Sequence, residues 1–126
     1  MAVWKIWFCF SSIFGATAVA LGAFGAHALK SSLAPVHLNT FEVAVRYQMY
    51  HCLALMGVAF LSKFLDGSSL VFIAGLLFCL GSLLFSGSLY VVVFSGIRAV
   101  GMITPLGGIC LILGWLSLFA AIVRYK

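Results

Sequence analysis

A chain of 126 residues that is 65% hydrophobic and 7% charged cannot cover a water-facing surface, because soluble domains carry roughly 25% charged residues. Its length suits one helical bundle and no second domain, so residues 1–126 are expected to form a single integral membrane domain. Seven basic residues against two acidic ones give a formal charge of +5, yet the bases fall in short loops and at the ends, where they meet lipid headgroups, and no nucleic-acid partner is expected.

Residues 6–29, 47–62, 67–97 and 99–123 contain no Lys, Arg, Asp or Glu. A spanning helix needs ~20 predominantly apolar residues. Lipid admits only helices or closed barrels, and these runs lack the alternation of barrel strands. The expected class is all-α, a membrane-spanning four-helix bundle.

The first helix is expected over about residues 4–28, anchored at the interface by Trp4, Lys5 and Trp7. Ala26-His27-Ala28 resembles a signal cleavage site, but the apolar run exceeds the ~7–15 residues of a signal core, so the helix should stay. Ala18, Gly22 and Ala26 repeat every fourth position and give a face for close helix packing. Pro35 is expected to keep the connection after Lys30 out of helix. Asn39 and Glu42 read as a capping box that opens a second helix, about 40–64. Asp66-Gly67-Ser68-Ser69 reads as a tight turn that caps a third helix, about 70–94. Ser95 to Arg98 should break it. Thr104 as N-cap and Pro105 at the first position should open a fourth helix, about 105–125. Gly75, Ser82 and Ser86, then Gly107, Gly108 and Gly114, form further small-residue stripes. Cys9, Cys52, Cys79 and Cys110 each stand alone in an apolar run and read as small buried hydrophobes.

The charges favour one orientation. Lys5, Lys63, Arg124 and Lys126 share the side of the amino terminus, against Lys30, Arg46 and Arg98. Both termini are therefore expected in the cytoplasm.

Polar side chains crowd toward the other face. At 1.5 Å per residue, His51 lies roughly 5 Å above the middle of its helix, Gln48 roughly 9 Å, and Tyr47 and Arg46 roughly 10–12 Å. Ser86 and Tyr90 come out at roughly 6 and 12 Å, and His27 near roughly 15 Å. Polar groups at membrane depth are costly unless they meet each other or water. His27, Tyr47, Gln48, His51, Ser86 and Tyr90 are thus expected to line an outward-opening polar pocket, while Glu42 and Arg46, one turn apart, form a structural ion pair. His27 and His51 differ in depth by about 10 Å, which disfavours their sharing a haem. Two distant histidines and Glu42 fall short of a zinc site. No nucleophile elbow and no mid-membrane carboxylate is present. No catalytic residue, cofactor or metal is expected.

Four ordered motifs carry a resemblance: residues 21–29 (LGAFGAHAL), Tyr47-Gln48 with His51, residues 84–90 (LFSGSLY), and Thr104-Pro105-Leu106-Gly107-Gly108 with Gly114-Trp115-Leu116. Together they resemble the bacterial branch of the domain of unknown function 423 family, whose animal relatives are called transmembrane protein 256. The resemblance covers nearly the whole chain. It implies a four-helix bacterial inner-membrane protein and brings no activity, cofactor or substrate. The leading expectation is a non-enzymatic membrane protein whose pocket binds a small polar molecule or lipid headgroup, or serves transport. Membrane lipids and a homo-oligomeric or membrane-complex partner would be its associates. The alternatives are a structural or accessory subunit of a larger complex, and a haem- or quinone-linked electron carrier.

Overall fold

The apolar runs fold as long helices, and a computed structural model describes all of residues 1–126. Helix α1 covers Val3–Phe24 and continues as a π-helical turn, Gly25–Leu29. Helix α2 covers Pro35–Phe64, α3 covers Ser69–Ser95, and α4 covers Thr104–Arg124 after a 3₁₀ turn at Arg98–Met102. There is no strand, and the class is the all-α membrane bundle expected.

Consecutive helices pack side by side. Helix α2 lies between α1 and α3, and α4 packs against α3. Trp7, Leu55, Val58, Val71, Phe78 and Leu111 form the main core, while Leu29, Phe41 and Val93 form a smaller one at the opposite end. Helices α1 and α3 make few direct contacts above Trp7, so a cleft remains between them with α2 as its floor.

Three segments are long and apolar enough to cross a membrane: Val3–Leu29, Ser69–Ser95 and Arg98–Arg124. Helix α2 is not among them, although its charge-free half suggested a fourth span of the same kind. Its N-terminal half carries Asn39, Glu42, Arg46 and Gln48. Two flanking helices cover much of this more polar rod, and its buried residues recur from Phe41 to Ala59. Protein rather than lipid solvates a helix placed like that.

Two helix starts differ from the sequence reading. Pro35 does not hold the chain out of helix; it is the first residue of α2, with Ala34 as N-cap. That position has no intrahelical use for an N–H, and proline's fixed φ suits it. Asn39 and Glu42 consequently lie inside the helix and form no capping box. Likewise Thr104 does not cap α4. Ile103 holds that position, and the Thr104 hydroxyl meets the Ser88 hydroxyl on α3 instead. The third start is as expected: the Ser68 hydroxyl accepts from the Val71 N–H at 3.5 Å. Gly96, with φ +72°, ends α3 in the left-handed region that glycine tolerates.

Glycines set the closest helix approaches. A Cβ on Gly107 would collide with the Phe85 backbone nitrogen, so α4 and α3 meet almost backbone to backbone there. A Cβ on Gly25 would stand 2.6 Å from the Phe41 ring, which seats α2 against the π-helical turn.

Candidate functional site

The polar residues of the half of the bundle away from the termini separate into two hydrogen-bonded centres. The first is built on Gln48. Its Nε2 donates to the Phe14 carbonyl at 2.9 Å and to Thr17 Oγ1 at 2.7 Å. Its Oε1 accepts from the Tyr90 hydroxyl at 2.7 Å. One buried amide therefore ties α1, α2 and α3 together. Beside it, the Ser86 hydroxyl donates to the Ala44 carbonyl at 2.7 Å, and deeper down Ser11 donates to the Cys52 carbonyl at 2.7 Å.

The second centre is His51. It lies three positions after Gln48, which turns the two side chains about 60° apart on the helix. The imidazole points toward α3 and α4, against Phe78 and Trp115, with ring centroids at 5.7 and 6.2 Å. Nδ1 lies 2.7 Å from the Tyr47 carbonyl, and Trp115 Nε1–H donates to Nε2 at 3.3 Å. The neutral Nδ1–H tautomer satisfies both contacts, so neither ring nitrogen is spare. Tyr47 stacks on the imidazole and packs tilted against Phe85, with centroids at 6.2 and 4.7 Å, and keeps an exposed edge.

The remaining residues lie elsewhere. His27 is exposed on the π-helical turn and joins neither centre. Glu42 and Arg46 are both exposed, line a groove between α1 and α2, and make no hydrogen bond or ion pair to each other. The six residues expected around one polar pocket are thus divided: Gln48, Ser86 and Tyr90 at the α1–α3 cleft, His51 and Tyr47 toward α4, and His27 apart.

The cleft between α1 and α3 holds about 280 Å³ and is walled by Ile13, Phe14, Leu21 and Leu83, with Gln48 on its floor. Its polar atoms are mostly consumed by each other. Ser82 is the exception. It lines the cleft, is 4% exposed, and its hydroxyl has no hydrogen-bond partner. Thr17 and Trp115 carry the two centres and escaped the sequence reading. Thr17 is a single hydroxyl in an apolar run and gives no warning of its partner, whereas Trp115 was visible as the one indole in the fourth helix. No group of three or more His, Cys, Asp or Glu residues comes together that could hold a metal ion.

Comparison with known proteins agrees with a membrane protein. The family model for a protein of unknown function, DUF423, matches residues 21–108. The UPF0382 membrane protein YwdK of Bacillus subtilis is 42% identical over 121 residues, covering 96% of this chain and 98% of its own. The UPF0382 inner membrane protein YgdD of Escherichia coli is 38% identical over 122 residues, covering 93% of this chain and 88% of its own. No solved structure matches. With three long apolar helices and relatives of this kind over almost its full length, the chain is an integral membrane protein of the DUF423 family.

Proposed function

We propose that the protein is a non-catalytic membrane binding protein whose ligand is an amphiphile that enters the α1–α3 cleft sideways from the bilayer. The observation that carries this reading is Ser82, a buried hydroxyl without a partner on the wall of a cleft whose other polar side chains bond within the protein. An unsatisfied hydroxyl in such surroundings costs about 1–3 kcal/mol; the Ser82 oxygen is closed off from the cleft at rest, and a turn of its side chain toward a ligand carbonyl or hydroxyl would relieve that cost. Ligand sites are mostly apolar with a few placed polar groups. A small polar molecule fits less well, because both donors of the Gln48 amide and both ring nitrogens of His51 are engaged inside the protein. Saturation of these groups also supports the absence of catalysis, since neither the imidazole nor the amide is free to act on a substrate. Both termini face the cytoplasm in this reading, on the charge bias alone.

Gly87 offers the test. It lines the cleft, and a Cβ there meets nothing within 4 Å, so Gly87→Leu should fill the space without straining the bundle. A photoactivatable fatty-acyl probe should label wild-type protein at the cleft. Gly87→Leu should lower that labelling about fivefold, equivalent to about 1 kcal/mol. Gly57→Leu is the control, since its Cβ also meets nothing. Labelling of the cleft no stronger than labelling of exposed α4 residues such as Ile112 would end the proposal.

The second reading is a structural or accessory subunit, in a homo-oligomer or a larger membrane complex. The saturation of Gln48 and His51 favours it, as interhelical bonds of this kind act as glue. Its mark would be a stoichiometric partner retained through gentle extraction, with no loss of that partner in Gly87→Leu.

A further inference from the structure

On the other side of α1 lies a groove of about 380 Å³ between α1 and α2, and it carries two opposite charges that leave each other alone. Glu42 and Arg46 both line it. The usual fate of such a pair, four residues apart on one helix, is a mutual ion pair. Here both side chains stay exposed and unbonded beside a concavity floored by Gly22, Gly25 and Ala26. The floor is low because these residues have small or no side chains, and Gly25 and Ala26 belong to the π-helical turn, a distortion often found at functional sites.

The order of groups along the groove matters. Helix α2 starts at Pro35 on the outer end and descends from there. Arg46 therefore lies about 6 Å deeper than Glu42, and Met49 about 4–5 Å deeper again. From the membrane surface inward the groove presents a carboxylate, a guanidinium, and then apolar Val45 and Met49 walls. A phospholipid with an ethanolamine headgroup presents, in the same direction, a primary ammonium, a phosphate, and then glycerol and acyl chain.

The geometry points to this groove as a site for a zwitterionic ethanolamine phospholipid, with its phosphate on Arg46 and its ammonium on Glu42. Guanidinium matches phosphate in a bidentate fork. A primary ammonium donates hydrogen bonds to a carboxylate, which a quaternary choline cannot do. An anionic glycerol headgroup would leave Glu42 without a counter-charge. The site uses a different face of α1 from the α1–α3 cleft and stands whether or not that cleft binds an amphiphile.

The experiment is competitive. Protein is equilibrated with vesicles containing equal amounts of phosphatidylethanolamine, phosphatidylglycerol and phosphatidylcholine, and the retained lipid is identified by native mass spectrometry. Wild-type protein should retain phosphatidylethanolamine about tenfold over the other two. Arg46→Gln should lose that enrichment. Glu42→Gln should shift preference to phosphatidylglycerol, because Arg46 then stands alone; a merely structural role for Glu42 would not reverse selectivity. Both side chains are exposed and unbonded, so the variants should keep wild-type helicity by circular dichroism. Gly87→Leu should leave the enrichment unchanged, which separates failure here from failure at the cleft. Equal retention of the three lipids by wild-type protein, or selectivity untouched by both substitutions, overturns the proposal.

Discussion

Gln48 shows how a single side chain can organise a bundle in lipid. Its amide makes three interhelical hydrogen bonds, to Phe14, Thr17 and Tyr90. Such bonds average ~0.6 kcal/mol each and reach ~1.7, so Gln48→Leu should destabilise the protein by about 2 kcal/mol. Tyr90→Phe removes one bond and should cost about 0.6 kcal/mol. The double variant should cost less than the sum, since both changes break the same contact. Unfolding equilibria in bicelles, measured by steric trapping, check all three, and a silent Gln48→Leu would show that the amide ties nothing together. Helical depth, read from sequence, sets Gln48, Ser86 and Tyr90 at neighbouring heights. Depth says nothing of azimuth, however, and azimuth decides which neighbour a side chain meets. His51 is near Gln48 in height yet turns to Trp115, and only the packing order of the helices reveals that.

At the scale of elements, the helix bodies follow from charge-free runs, while their starts depend on competition between local signals. Pro35 is compatible with either a helix break or a first helical residue. The neighbours decide: from His37 onward the backbone bonds back to Ala34 and continues without interruption. Asn39 and Glu42 have the spacing of a cap, but a helix already under way leaves no free N–H for them. Pro35→Ala should therefore change stability by less than about 0.5 kcal/mol, because a missing N–H costs nothing at that position. The α3–α4 seam is the opposite case. Gly107 and Gly108 are adjacent and indistinguishable in the sequence. A Cβ on Gly107 strikes the Phe85 backbone, whereas one on Gly108 stays 3.8 Å from the Phe85 ring. Gly107→Ala should cost about 1–3 kcal/mol through overpacking, and Gly108→Ala should be near neutral or slightly stabilising by helix propensity. Thermal unfolding of the two variants in the same detergent makes the comparison, and equal midpoints would contradict the backbone approach drawn here.

For the whole molecule, the direction of insertion rests on a small difference in charge. Four basic residues on the side of the termini face three on the side of the 30–34 connection. Orientation responds to Lys and Arg near the ends of spans, and Asp and Glu contribute little, so Asp66 and Glu42 do not alter the balance. A difference this small should be easy to reverse. In a background with the four cysteines replaced, Ser31→Cys, which is exposed, should react with a membrane-impermeant maleimide added outside intact cells. Changing Lys5 and Lys63 to Gln removes two charges from the side of the termini and leaves the larger number on the opposite side. Part of the population should then invert, and labelling of Ser31→Cys should fall by about half. Lys30→Gln strengthens the existing bias and should leave labelling complete. Half-labelling already in the parent protein would mean that the chain inserts both ways, and the outer groove with Glu42 and Arg46 would then meet both leaflets in the cell.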